Sequence, residues 1–294
     1  MKRLFVAFLA GVLFALPASA APLRLVFWNI AWFPGGHPNA TPFDSVAQIV
    51  DVVPAVASLD PDIIGLTEIL NEEAMEIAFY QTPGLRPQVC SVFLDDEGIV
   101  TRQQIGIASK MPAMNAWWEN WRARRIAPKR GFSFAAFEPE PGRILLVYTV
   151  HLKSNRGDST ENFAMREESA RQLLAHVSEM EKAYAGRGTI GVIIGGDFNT
   201  SLDDPKFADE QTLRDLKKAG FTWGWTDVPF AERITLPSKP SNNPEFPPFP
   251  DTCFDHAFFK NVRVRSARVV PVEPNPSDHR PIVFEIEIPA PPAS

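Results

Sequence analysis

The chain has 294 residues, with 29 basic and 35 acidic side chains and a formal charge of −6. An acidic balance gives the molecule no general attraction for polyanions, so a nucleic-acid partner has to be met by a local patch. After residue 16 the uncharged stretch 25–43 is broken by Pro34, Gly35, Gly36, His37 and Pro38, so no later run is as uniformly apolar as 4–16, and no solenoid repeat is visible.

At the N-terminus Lys2 and Arg3 precede an apolar run over residues 4–16, then Pro17 and Ala18-Ser19-Ala20. This is the order of a secretory signal peptide: charged region, apolar core, small-residue cleavage site. The expectation is cleavage after residue 20 and a periplasmic or secreted, soluble, monomeric product of charge −8. No cysteine follows the apolar core, which argues against a lipid anchor. Residues 21–294 are then expected to form one domain, a length that large α/β sandwiches reach.

Residues 23–30 alternate and are rich in strand formers, so they predict a strand ending at Asn29. Pro42, Phe43 and Asp44 open a helical pattern through Val46, Ile49, Val50 and Val53, with Asp44 as its cap. Pro54 is expected to kink that helix or end its first part. Residues 62–66 predict a second buried strand leading to Glu68, and 71–80 a short helix. Residues 89–94 and 104–109 read as strands around the turn Asp95-Asp96-Glu97-Gly98. Residues 132–137 and 144–152 form a hairpin joined by 138–142. Residues 161–184 give the longest helix, with Leu173, Leu174 and Val177 on one face. Residues 191–194 are a buried strand running into Gly195 and Gly196, and 206–219 another helix. Residues 229–250 hold seven prolines and predict an irregular loop. Strands follow at 254–259, 262–272 and 282–288, then a frayed tail. Hairpins mixed with strand–helix–strand units predict an α/β fold. It is a four-layer α/β sandwich, two packed mixed β-sheets flanked by helices.

Polar groups recur at the strand ends. Asn29 ends the first strand and Glu68 follows the second, and His151 lies near the end of the long strand 144–152. Asp197 and Asn199 sit two residues apart after Gly196, on the same side of the chain because strand side chains alternate. Asp278 and His279 precede the last strand, and Asp255 follows Cys253-Phe254. Each alone has a bland explanation: Asp and Asn are ordinary turn residues, and Asn29 is acceptable as a satisfied buried amide. Together their carboxylate and amide oxygens suit a hard cation, Mg²⁺ or Mn²⁺, with Asn29, Glu68 and Asp278 as an incomplete ligand shell. His151 and His279 supply proton handling near neutral pH. The histidines are too few and the cysteines too far apart for zinc. Such a set matches what phosphoester hydrolysis needs.

In this order, with the flanking sequences Phe-Trp-Asn29-Ile, Leu-Thr-Glu68, Gly-Asp197-Phe-Asn199 and Ser-Asp278-His279-Arg-Pro, the chain resembles the endonuclease/exonuclease/phosphatase superfamily, the fold of deoxyribonuclease I. The resemblance spans about residues 23–288. It implies Glu68 as principal metal ligand with Asn29 and Asp278 nearby, and His279 as general base oriented by Asp255. It implies His151 as the histidine that stabilises the phosphate or protonates the leaving oxygen. Asp197 and Asn199 match the pair that positions water and phosphate, and in some accounts the Asp is the base. Thr67 stands where the family commonly has Gln. Gln103 falls roughly where some relatives carry an acid supporting the His151 equivalent.

The remaining features leave choices open. Cys90 and Cys253 fit either a disulfide or two buried thiols. His256 is read as structural, facing opposite to Asp255, and His37 and His176 as solvated. The segment 117–130 interleaves Trp117, Trp118 and Trp121 with Arg122, Arg124, Arg125, Lys129 and Arg130. It fits nucleic-acid stacking, a membrane interface, or a loop whose tryptophans pack on the core. The function expected is an exported metal-dependent phosphodiesterase, first a nuclease. The alternatives are a phospholipid phosphodiesterase of sphingomyelinase type, which needs an exposed apolar hairpin, or a small-molecule phosphatase. A non-catalytic binding module has no need of both His151 and His279.

Overall fold

The apolar alternation of β1 (Leu23–Phe33) buries Leu25 to Ile30 completely or nearly so, which places this strand between two layers. It pairs in parallel with β2 (Ile63–Ile69) and antiparallel with β12 (Ile282–Glu287). With β3 (Arg86–Cys90), β4 (Gln104–Ser109) and β11 (Arg263–Val269) these form a six-stranded sheet of order β11-β12-β1-β2-β4-β3. A second six-stranded sheet is made by β5 (Asn115–Asn120), β6 (Gly131–Glu140), β7 (Arg143–His151), β8 (Thr189–Asp197), β10 (Asp255–Lys260) and β9 (Thr222–Trp223), in that order. Among the described residues each sheet is mixed, with a single parallel pair near its centre, β1–β2 in one and β7–β8 in the other. This is the computed structural model of the protein, and it describes residues 22–123, 125–239 and 249–289. The expected signal peptide, most of the C-terminal tail and residues 240–248 of the proline-rich loop lie outside the described residues.

Each parallel pair needs a crossover, and a helix provides it. Helix α1 (Pro42–Leu59) links β1 to β2, and α3 (Ser159–Tyr184) links β7 to β8. Helix α1 packs Val52, Val56 and Leu59 on the outer face of the first sheet, where α2 (Glu72–Ala78) adds Ala74 and Met75. Helix α3 and α4 (Thr212–Lys218) cover the other sheet with Leu173, Val177, Leu213 and Leu216. The predicted four-layer arrangement is therefore present. By length and composition α1 would reach across a membrane, but a third of it is buried against the sheet.

Between the sheets the Phe27 ring fills the space left by two glycines. A Cβ on Gly195 of β8 would lie 2.2 Å from its ring, and one on Gly65 of β2 would lie 2.5 Å away. Gly195 thus exists for close approach of the layers, directly below the strand end that carries Asp197.

Local details depart from the sequence expectations for identifiable reasons. Helix α1 runs unbroken through Pro54, and its N-cap is Thr41, whose hydroxyl accepts from Asp44 N while the Asp44 carboxylate accepts from Thr41 N. The strand predicted at 89–94 ends at Cys90, because Gln104 Oε1 takes Phe93 N and the Ser91 hydroxyl away from the ladder. The helix predicted at 206–219 is divided into a 3₁₀ turn at Pro205–Phe207 and α4. The buried Glu210 between them is held by Arg166 of α3 at 2.6 Å and by the hydroxyls of Thr200 and Thr212. The tryptophan segment is not a loop: 115–120 is edge strand β5.

The fit of Phe27 predicts that Phe27→Ala lowers unfolding free energy by about 3–5 kcal/mol, read from urea midpoints. A loss below 1 kcal/mol would mean that the sheets are not held apart by that ring.

Candidate active site

Both parallel pairs end at the same edge of the sandwich, and the polar strand-end residues meet there. In β7 and β8 the register sets His151 beside Asp197, and in β8 and β10 it sets Asp197 beside Asp255. In the facing sheet β1 and β2 lose register between Asn29 and Phe33 and between Thr67 and Ile69. Ala31, Trp32 and Glu68 there adopt positive φ, as do Asn199 and Arg130 across the cleft. Irregularities of this kind re-aim side chains, and backbone strain gathers where function constrains it. Gly196 also has a positive φ, and a Cβ there would lie 2.1 Å from the Val150 carbonyl oxygen, so the Gly-Asp-Phe-Asn turn requires glycine.

Asn29 bridges the two sheets. Its Nδ2 donates to Glu68 Oε1 at 3.2 Å and to Asp197 Oδ2 at 3.0 Å, while its Oδ1 accepts from Ala31 N. Glu68 Oε2 also accepts from Trp32 N. His151 is buried with Nε2 3.7 Å from Glu68 and 3.5 Å from Asp197. His279 Nδ1 is 2.7 Å from Asp255 Oδ2, and its Nε2 is 3.8 Å from Asp197 Oδ2. The His279 backbone is fixed at both ends, since its carbonyl accepts from Trp28 Nε1 and its N–H donates to Ser277 Oγ. Ser277 in turn donates to the Asn29 carbonyl at 2.6 Å. Asn199 sits beside this group: its N–H donates to Asp197 Oδ1 and its amide to the Leu152 carbonyl.

Electrostatics follow from burial and proximity. Burial pushes the Asp197 carboxyl up to about 7, opposed by the His279 charge and reinforced by Asp255. Burial works against a charged His279 ring, but Asp255 and Asp197 outweigh it and push the histidine up to about 10. His151 goes the other way: burial, then the charges of Arg130 and His279, hold it well below the usual histidine range. One histidine is thus charged and paired, the other neutral.

The donor set suits a hard divalent cation, since every anionic group at the site is a carboxylate and no thiolate is present. Asp197, Asp255 and His279 offer ligand atoms within 4.8 Å of one another. The 2.7 Å bond between Asp255 and His279 makes that trio a hydrogen-bonded proton-handling group first. Of the predicted ligands, Glu68 lies among the carboxylates, and Asn29 turns its nitrogen toward them with its oxygen engaged by Ala31. Asp278 stands at the rim, where its carboxylate meets Lys239 Nζ at 2.7 Å and lines a cavity of about 460 Å³ with Gly36, Pro237 and Asn275. Burial raises the Asp278 carboxyl, but His279 and Lys239 bring it below the usual range.

Arg130 belongs to the site and sequence reasoning missed it. Its Nη1 lies 3.1 Å from His151 Nδ1 and 3.2 Å from Gln103 Oε1, and its Nη2 donates to the Leu152 carbonyl. The tryptophans of the same segment pack inward: Trp117 on Phe134, Trp118 edge-on to Phe93, Trp121 on Phe132. His176, expected in solvent, is buried among Trp117, Phe132, Phe134 and Tyr148, with Nδ1 3.0 Å from the Tyr148 hydroxyl. His37 is exposed and His256 is buried against Trp223 and the Thr200 carbonyl, both as expected. Cys90 and Cys253 are free thiols, so no disulfide joins them.

The sequence matches the endonuclease/exonuclease/phosphatase family over residues 26–279, and the chain belongs to that family, whose members hydrolyse phosphoester bonds. Its fold is similar to that of an endonuclease/exonuclease/phosphatase from Beutenbergia cavernae DSM 12333 (TM-score 0.65, 17% identity, covering 94% of this chain and 74% of that one). The human Nocturnin catalytic domain, solved with a bound sulfate anion, is similar at TM-score 0.66 and 16% identity over 93% of this chain and 96% of its own. D. rerio TDP2 complexed with single-strand DNA product is similar at TM-score 0.64 and 16% identity over 91% of this chain and 100% of its own. No curated protein matches the sequence.

A histidine titrates near about 6.5 in an unfolded chain. With His279 at about 10 in the fold, its charged form contributes stability that is complete below about 6.5, declines above it, and is gone once pH passes about 10. Denaturant midpoints measured in chelator should therefore fall from pH 7 to 10 in the parent, with a flatter profile in His279→Gln. Equal slopes in the two proteins would contradict the charged His279–Asp255 pair.

Proposed function

We propose that this protein is an exported phosphodiesterase dependent on Mg²⁺ or Mn²⁺, with nucleic acid as its first candidate substrate. The observation that carries the reading is the convergence of Glu68, His151, Asp197, Asp255 and His279 at one edge of two packed sheets. Glu68 would hold the cation, with Asp197 and the rim carboxylate Asp278 as further oxygen donors and Asn29 orienting Glu68. Such an ion supplies positive charge for non-bridging phosphoryl oxygens and lowers the pKa of bound water. The chain's own groups do the rest. Asp255 holds the charged His279 ring with Nε2 toward Asp197, and Asp197 would accept the proton taken from the attacking water. His151 presents Nε2 to the space between Glu68 and Asp197, where a phosphoryl oxygen would lie. Asn199 fixes Asp197 through its backbone N–H.

The single-strand DNA product bound by D. rerio TDP2 supports nucleic acid. Basic groups near this site, Lys153 two residues beyond His151 and Lys239 beside Asp278, would meet a phosphate backbone despite the overall charge. The tryptophans of segment 117–130 pack on Phe134, Phe93 and Phe132 and do not offer a free stacking platform. One observation favours the lipid alternative: residues 92–100 form an exposed apolar hairpin, in which Leu94 bridges Val100 and Val92 and Ile99 also face solvent. It leads directly to Gln103 beside Arg130.

Export rests on the charged, apolar and small-residue order of residues 1–20, and the mature product is expected to be a periplasmic or secreted monomer. Hydrolysis of DNA, RNA, sphingomyelin and simple phosphomonoesters in parallel, with and without chelator, tests the function. DNA or RNA should be cut in a chelator-sensitive manner, and His279→Ala should lose about 10²–10⁴-fold in turnover with its circular dichroism unchanged. Glu68→Ala should be less active and require more Mg²⁺. Cleavage of sphingomyelin alone would assign the hairpin to lipid docking, and normal turnover in His279→Ala would sink the mechanism.

A further inference from the structure

The second histidine of this site is not supported by an acid. His151 Nδ1 faces a guanidinium, Arg130 Nη1, at 3.1 Å, and that same nitrogen donates to Gln103 Oε1 at 3.2 Å. Gln103 is therefore coupled to His151 only through Arg130. Arg130 is held in turn by the Leu152 carbonyl at 3.1 Å, one residue beyond His151. Its backbone takes a positive φ of 67°, which turns the side chain back into the cleft just before β6 begins.

Arginine carries donors and no acceptor, and it stays protonated in proteins. A hydrogen bond between Arg130 and Nδ1 therefore requires Nδ1 to carry a lone pair. The single ring proton of His151 must sit on Nε2, the atom that points between Glu68 and Asp197. A carboxylate facing Nδ1 would require the ring proton there, leaving Nε2 bare. The guanidinium imposes the opposite arrangement and disfavours a second proton on the ring.

We propose that Arg130, steadied by Gln103, is a positioning residue that locks His151 as the neutral Nε2–H tautomer. His151 then serves as a fixed hydrogen-bond donor to a phosphoryl oxygen, and it neither takes nor gives up a proton during turnover. This rests on the phosphoesterase reading for its use, but the tautomer itself does not.

The test is a long-range ¹H–¹⁵N correlation spectrum of ¹⁵N-histidine-labelled protein in Mg²⁺ buffer at neutral pH, with the His151 signals assigned by their loss in His151→Gln. The expected result is one tautomer with Nδ1 unprotonated and Nε2 protonated. Arg130→Met, which keeps the apolar stem and removes the donors, should give a mixture of tautomers, and Arg130→Lys should restore the parent pattern. On whichever phosphoester the parent cleaves, Arg130→Met should lower kcat about 10- to 100-fold with little change in KM, and Arg130→Lys should recover part of it. A protonated Nδ1 in the parent, or an unchanged spectrum in Arg130→Met, overturns the proposal. A locked tautomer in a protein that hydrolyses no phosphoester would overturn the proposed function and leave the Arg130 assignment standing.

Discussion

A single neutral amide holds the two halves of this molecule's chemistry in register. Asn29 Nδ2 reaches Glu68 in its own sheet and Asp197 in the other, at 3.2 and 3.0 Å. The part-buried Glu68 and the buried Asp197 carboxylates face each other across the sheet interface and repel, each already held by one backbone N–H, from Trp32 and from Asn199. One amide that serves both offsets that repulsion without adding a charge. The supporting structure follows from placing it: the bulges that turn Glu68 inward, the Ala31 N–H that fixes the amide, and the glycines that let the sheets close on Phe27.

Around that bridge the charges are divided rather than pooled. Asp255 pairs with His279 on one side of Asp197, and Arg130 stands behind His151 on the other. Desolvation alone would neutralise every member. For His279 the two carboxylates outweigh it, whereas for His151 the neighbouring cations reinforce it. Two histidines about equally buried thus differ in charge because of which side chains occupy their far nitrogens. Asp197 lies between them with a carboxyl near about 7, and it is the group most responsive to anything positive that enters the cleft.

Much of this was legible in the sequence because strand ends announce themselves. The apolar runs into Asn29, Glu68, His151 and Asp197 have the period and the terminators of buried strands, and the structure brings those four residues to one edge. What depended on distant partners was not legible. Arg130 lay in a basic run that pointed to solvent, and only its positive φ and the neighbouring β6 direct it inward. His176 sits on a polar-looking helix yet is enclosed by rings from three strands. The break before α4 is drawn by the Arg166–Glu210 ion pair, which joins residues 44 apart. Strand β5 was hidden because Trp117 and Trp118 stand side by side instead of alternating with polar residues.

The order of the strands has a further consequence for how the chain comes to life. β1 lies between β2 and β12, so the first strand of the fold waits for the last. Trp28 binds the His279 carbonyl across 251 residues, and Ser277 binds the Asn29 carbonyl across 248. Contacts of such separation make assembly slow, because the loop entropy is spent before they form. A chain whose last strand is not yet in place lacks the His279–Asp255 pair, so this cluster is completed only when β12 closes against β1.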